Sequence, residues 1–90
     1  MSEASQEFVI ANALGLHARA AATLVKVTSR FRCEVEISRL RFTVNGKSIL
    51  GLMTLAASRG SQIKVKCSGE DADEALAAIG ACIEGRFGEE

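Results

Sequence analysis

No proline, tryptophan or tyrosine occurs anywhere in the 90 residues, and there is one histidine. Without proline there is no proline-rich linker, and glycine and serine are scattered rather than clustered. Net charge is missing too, because eleven basic side chains balance eleven acidic ones. A nucleic-acid binder of this size would ordinarily be strongly basic. RNA recognition would also call for exposed aromatics, and only four phenylalanines are present. No apolar run approaches the ~18 residues of a membrane span. The opening MSEASQEF is polar and acidic, unlike a signal peptide. Together these absences predict a cytoplasmic protein that binds neither nucleic acid nor membrane.

Cys33, Cys67 and Cys82 are odd in number, widely spaced and without a CxxC. One histidine cannot complete a Cys/His zinc pattern, so no metal site and no metal chaperone is expected. The cysteines read as small buried hydrophobes in a reducing compartment. No cofactor or small-molecule ligand motif is present. What remains is ordinary for a folded protein: 48% apolar and 24% charged residues. Ninety residues suffice for one domain spanning 1–90, with 1–5 and 85–90 expected to fray.

Glu7–Ala11 reads as a first strand with Phe8 and Ile10 on one face. From Ala18 to about Ser29, Ala21, Leu24, Val25 and Thr28 follow helical spacing. Arg32–Ser38 alternates, with Cys33, Val35 and Ile37 inward and Glu34 and Glu36 outward. Arg41–Val44 continues with Phe42 and Val44 inward, giving a hairpin that turns near Arg39–Leu40. Asn45–Gly46 is the stronger turn signal, but SILGLMTL after it does not alternate. Ser48 instead looks like an N-cap opening a short helix through Ile49, Leu52, Met53 and Leu55. After a turn at Ser58–Ser61, Gln62–Cys67 alternates with Lys64 and Lys66 outward. Asp71 and Glu74 form a capping-box-like pair ahead of a last helix through Ala75, Leu76, Ile79, Cys82 and Ile83.

The order β-α-β-β-α-β-α, with each strand apolar on one face, predicts an α+β fold. In it, helices cover one side of an antiparallel sheet and water the other. The Glu34/Glu36 and Lys64/Lys66 rows match in spacing and oppose in charge, which places the second and fourth strands side by side.

The chemistry concentrates in GLHARAAA, residues 15–22. A lone histidine is most often structural or an exposed bystander. Here, however, Gly15 permits a turn, a helix begins at Ala18, and Arg19 follows on the same turn. Unpaired N–H donors and the positive end of the helix dipole make such a start an anion site. Metal binding or general-base catalysis would need partners or a substrate cleft that the chain does not offer. Phosphoryl acceptance needs only an unprotonated ring nitrogen, a positive surrounding and room for a partner. His17 is therefore the candidate phosphoryl acceptor.

The two blocks GLHARAAA (15–22) and KSILGLMTLAA (47–57), with Arg59–Gly60 and GEDADEAL, resemble the histidine-containing phosphocarrier (HPr) family of the bacterial phosphotransferase system. The resemblance runs from about Phe8 to Ile83. It implies an open-faced β-sandwich: a four-stranded antiparallel sheet, order 1-4-2-3, with three helices on one face. It also implies a phosphoryl-transfer intermediate rather than a free-standing enzyme, working as a monomer. Phosphorylated enzyme I would load His17 at Nδ1, and a IIA protein or domain would unload it. Arg19 and the backbone N–H groups of Ala18, Arg19 and Ala20 would steady the phosphate. Ser48 matches a regulatory serine that a dedicated kinase phosphorylates in some bacteria, with a phosphatase to reverse it. Ile49, Leu50 and Met53 would dock partners, with Lys26, Arg30 and Lys47 as a basic rim. Many family members have proline where this chain has Ala20; alanine is familiar in the nitrogen-related branch. A competing reading is a regulatory docking module switched by phosphorylation at His17 or Ser48.

Overall fold

The structure is a computed structural model that describes residues 2–89. In chain order it contains β1 (Glu3–Val9), α1 (Ala18–Thr28), β2 (Glu34–Arg39), β3 (Phe42–Asn45), α2 (Ile49–Thr54), β4 (Gln62–Ser68) and α3 (Ala72–Glu84). One 3₁₀ turn, Arg86–Gly88, follows α3. The four strands form one antiparallel sheet in the order β1-β4-β2-β3. Alternation explains its two faces. Val35, Ile37, Ile63, Val65 and Cys67 are buried under the helices, while Glu34, Glu36 and Lys64 face water. Leu24 on α1, Leu52 on α2 and Ile79 and Ile83 on α3 close the core from the other side. The open-faced sandwich read from the sequence is the fold.

Several local expectations differ from what is found. β1 starts at Glu3, not Glu7, because Glu3–Val9 pairs along its whole length with Ser68–Gln62. Residues 3–5 are thus ordered, and the polar side chains of that stretch sit on the wet face. At the other end Phe87 is buried and Glu89 is hydrogen-bonded, so 85–89 are not frayed either. Met1 and Glu90 lie outside the described residues. Phe42 shares the helix-side face with Ile37, Val44 and Arg39 but is 62% exposed. It opens the edge strand β3, beyond the reach of the six-residue α2. The hairpin turns at Leu40–Arg41, with Leu40 in the left-handed region at φ 56°.

The Asn45–Gly46 signal is a real turn that leads into α2. Gly46 donates to the Val35 carbonyl at 2.7 Å, and a Cβ there would meet Val35 Cγ1 at 2.5 Å. The charge rows do bring β2 and β4 together, with Glu36 directly opposite Lys66. Yet the ammonium of Lys66 reaches across to Glu3 at 3.5 Å instead. Both groups are exposed, so the exchange matters little energetically.

Asp71 does not form the expected capping box, and its side chain makes no cap bond. Its two oxygens accept the backbone N–H groups of Arg32 and Cys33 at 2.8 and 2.9 Å. They tie the start of α3 to the loop that enters β2. The Arg32 bond first, then those from Cys33, hold the Asp71 carboxyl below its ordinary value. Burial, then Asp71, pushes the Cys33 thiol up, and burial pushes the Cys67 thiol up to about 12. All three cysteines are free; Cys33 and Cys67 are buried as expected, whereas Cys82 is only partly buried.

The loop before α1 is set by Gly15. Its φ is +69°, and a Cβ would lie 2.5 Å from the Ala57 carbonyl oxygen and 2.8 Å from Ser58 Cα. Leu16 N–H donates to that same carbonyl at 2.8 Å. Gly15→Ala is therefore expected to cost about 1–3 kcal/mol from backbone strain, before any clash is counted; urea unfolding measures it. Asp71 generates a pH signature. Because its pKa is lower in the folded chain, its stabilisation is complete above the ordinary value of 3.8 and disappears as pH falls through the folded value. The stability gap between wild type and Asp71→Asn should close over that interval. A gap that persists unchanged at lower pH would contradict the assignment.

Candidate functional site

His17 occupies the N-cap of α1 in extended backbone geometry (φ −79°, ψ −178°), and its side chain makes no cap bond. The first helical hydrogen bond runs from Ala21 N–H to the His17 carbonyl at 2.8 Å. Ahead of it, the N–H groups of Ala18, Arg19 and Ala20 have no acceptor within the helix. No acidic residue lies in the first turn to claim them. The site is thus a helix start with open donors, and an imidazole at its edge. Ala18 and Arg19 are exposed, whereas Ala20 is fully buried and anchors the first turn in the core. Among the described residues the Arg19 guanidinium pairs with no carboxylate within 4.0 Å. Its charge is available to an incoming anion.

The ring of His17 is less open than small neighbours alone would make it. Its Nε2 lies 2.7 Å from Glu89 Oε1, and the two side chains are 28% and 18% exposed. Asn12, fully buried, donates through Nδ2 to the same Glu89 oxygen and to the Gly15 carbonyl, both at 2.8 Å. The bond to His17, then that from Asn12, hold the Glu89 carboxyl below its ordinary value, with the Arg19 charge adding to the effect. Neither Asn12 nor Glu89 was visible as a site residue. Glu89 is 72 positions from His17 in sequence, and no periodicity links them. The only sign of Asn12 was a polar residue close to Gly15.

The second block falls beside the first. α1 and α2 pack together, and a shallow hollow of about 280 Å³ is lined by Leu14, Leu16, His17, Met53, Ala56, Ala57 and Ser58. Ser48 is the N-cap of α2, accepting Gly51 N–H through Oγ at 3.0 Å, as its position implied. The apolar stripe divides as expected. Leu52 and Leu55 are core, while Ile49 and Met53 are each 40% exposed and Leu50 is 76% exposed. Leu14, 71% exposed, extends that patch on the other side of His17 and carried no signal of its own. Larger hollows around Arg32 and Cys33 are lined by neither His17 nor Arg19.

The basic rim is only partly assembled. Lys26, in the last turn of α1, and Arg30 beyond it are exposed. Lys47 is half-buried, and its Nζ donates to the Phe31 carbonyl at 2.6 Å. That ammonium satisfies backbone beyond the end of α1 opposite His17. With α1 rising ~1.5 Å per residue, the backbone of Lys26 lies ~12 Å along the axis from Ala18 and that of Arg30 lies beyond the helix end.

Comparison with known proteins agrees with this geometry. The family model described as "PTS HPr component phosphorylation site" matches residues 4–85. The phosphocarrier protein HPr of Xylella fastidiosa is 45% identical over 84 residues, covering 93% of this chain and 94% of that protein. Its counterpart from Pseudomonas aeruginosa is 46% identical over 84 residues, covering 92% and 93%. The crystal structure of HPr from Thermoanaerobacter tengcongensis superposes with a TM-score of 0.89 at 40% identity, covering 100% of this chain and 99% of that one. By its fold, its helix-start histidine and its near full-length likeness to these proteins, the chain belongs to the HPr family of phosphotransferase-system components.

Proposed function

We propose that this protein carries a phosphoryl group on His17, taking it from phosphorylated enzyme I and handing it to a IIA protein or domain. The observation that carries the reading is that His17 stands at the N-cap of α1 without capping it. The ring and the free helix donors are therefore available at one place. In the loading step a lone pair on the imidazole forms a bond to phosphorus as the bond to the donor breaks. The N–H groups of Ala18, Arg19 and Ala20 take up phosphoryl oxygen charge, each contact worth about 0.3–1 kcal/mol. Arg19 supplies a mobile positive charge. Donation reverses the sequence, so the site must hold the group without trapping it. Its exposure suits that need.

The apolar patch of Ile49, Leu50 and Met53 serves as the docking face for both partners, with Lys26 at its margin. Lys47 contributes through the loop it holds rather than through a free charge. The patch is small and the contacts it supports are transient, which suits a monomer working in a reducing cytoplasm, where its three free thiols persist. No described helix is long and apolar enough to cross a membrane. Ala20 in place of proline supports the nitrogen-related branch as the pathway served.

Phosphorylation of Ser48 by a kinase would place roughly −1.5 to −2 charges beside the docking patch. Ser48→Asp is expected to slow transfer from enzyme I through a raised KM, while Ser48→Ala should leave transfer intact. The Ala variant loses a cap worth about 0.5–2 kcal/mol, read by thermal unfolding. Equal KM values for Ser48→Asp and wild type would contradict the regulatory reading.

Loading itself is tested with labelled phosphoenolpyruvate and active enzyme I, offering sugar-type and nitrogen-type IIA proteins as acceptors. Wild type should gain one acid-labile phosphoryl group and pass it on, preferring the nitrogen-type acceptor. His17→Ala should gain none, and Arg19→Ala should load at least tenfold more slowly. Label retained in His17→Ala would overturn the site, and failure of wild type to load would overturn the carrier reading.

A further inference from the structure

The segment after α3 returns to the acceptor histidine by a strained route. Arg86, Phe87 and Gly88 have successive positive φ values of 57°, 54° and 75°. Two of these are side-chain-bearing residues that rarely adopt the left-handed region. The strain is held by packing. The Phe87 ring is 5% exposed, in a cleft it shares with Thr23 and Val27 of α1 and Cys82 of α3. Gly88 N–H and Glu89 N–H then donate back to the Gly85 and Arg86 carbonyls at 3.0 and 2.9 Å. These contacts deliver the Glu89 carboxylate to His17 Nε2.

Asn12 shows that this approach is built in. Its Nδ2 serves two acceptors, Glu89 Oε1 and the Gly15 carbonyl, which dictates the orientation of the amide. The buried Oδ1 is consequently left without a partner among the described residues. A fully buried polar atom goes unsatisfied so that Gly15 and Glu89 are both held. Glu89, ionised, can only accept. Nε2 must therefore carry the ring proton, and in the neutral imidazole the lone pair then sits on Nδ1. Among the described residues, Glu89 and Arg19 are the charged groups facing this ring; the wall formed by Leu14, Leu16, Met53 and Ser58 carries no charge.

We propose that Glu89 is the positioning residue for phosphoryl transfer, occupying Nε2 of His17 so that Nδ1 alone is free to bond phosphorus. The proposal rests on His17 being the acceptor. In the reaction the Nδ1 lone pair forms the N–P bond while the donor's bond to phosphorus breaks. The ring retains its Nε2 proton, and the resulting positive charge faces the Glu89 carboxylate. Glu89→Ala removes both acceptor and charge. Glu89→Gln keeps an acceptor, because the Asn12 amide still directs an oxygen toward the ring.

Phosphoramidate, a small phosphoryl donor that needs no docking and releases ammonia, provides the test. The intact wild type, Glu89→Ala and Glu89→Gln are each treated with it, and ³¹P NMR early in the reaction reports which ring nitrogen is modified. Wild type and Glu89→Gln should form the Nδ1 product, whereas Glu89→Ala should raise the Nε2 share at least tenfold. With enzyme I as donor, Glu89→Ala should lower kcat and leave KM unchanged. Identical isomer ratios and an unchanged kcat in wild type and Glu89→Ala would overturn the role of Glu89. If wild type still loads from enzyme I in that case, His17 as acceptor stands. If wild type does not load at all, the carrier reading falls and this proposal with it.

Discussion

The backbone contact between Gly15 and the Ala57–Ser58 segment is the constraint on which the site depends. Gly15 has no room for a Cβ, and the next residue, Leu16, donates to the Ala57 carbonyl at 2.8 Å. Those two features press the loop before α1 against the loop after α2. His17 occupies the N-cap of α1, and the exposed apolar residues Ile49, Leu50 and Met53 belong to α2. A single close approach thereby sets the distance between chemistry and docking. It also fixes where α1 starts, and with it the N–H donors that remain free. Asn12 reinforces the same loop from inside by bonding the Gly15 carbonyl.

A phosphoryl carrier has to accept a group from one protein and release it to another, so the site cannot be a closed pocket. The geometry meets this with backbone donors, one exposed arginine and a shallow hollow of about 280 Å³. Rigidity comes from below. Ala20, Ala21 and Leu24 are fully buried and lock α1 to the sheet. Glu89 adds orientation from the side. The free-energy differences available from such contacts are small, which suits transfer in both directions.

Periodicity carried most of the fold. Alternation in RCEVEIS and QIKVKC placed two strands and their wet faces, and opposite charges on those faces placed β4 beside β2. The helix starts were legible because Gly15 and Ser48 are local signals for backbone turns and caps. Phe42 was misread because alternation reports which face a side chain occupies, not whether a helix is long enough to cover it. Asp71 was misread because a capping pattern cannot reveal that Arg32 and Cys33 lie closer in space. The polar start of β1 hid its strand, since its inward positions opposite Val65 and Cys67 hold Gln6 and Ala4 rather than large apolar residues.

The site divided in the same way. The positions of His17, Arg19 and Ser48 were legible because they follow from two helix starts. Glu89 and its bonds to His17 and Asn12 were not, because they are made by chain return over 72 and 77 residues. The central claim is that His17 is a transit point for phosphoryl groups, not a place where they are stored. The most direct measurement is a rapid-quench chase of the labelled phosphoprotein against an excess of its IIA acceptor. Label should leave His17 and appear on the acceptor in a single phase, at least as fast as steady-state transfer through the system. Label that stays on the protein, or is released as inorganic phosphate while the acceptor remains unlabelled, would contradict the account.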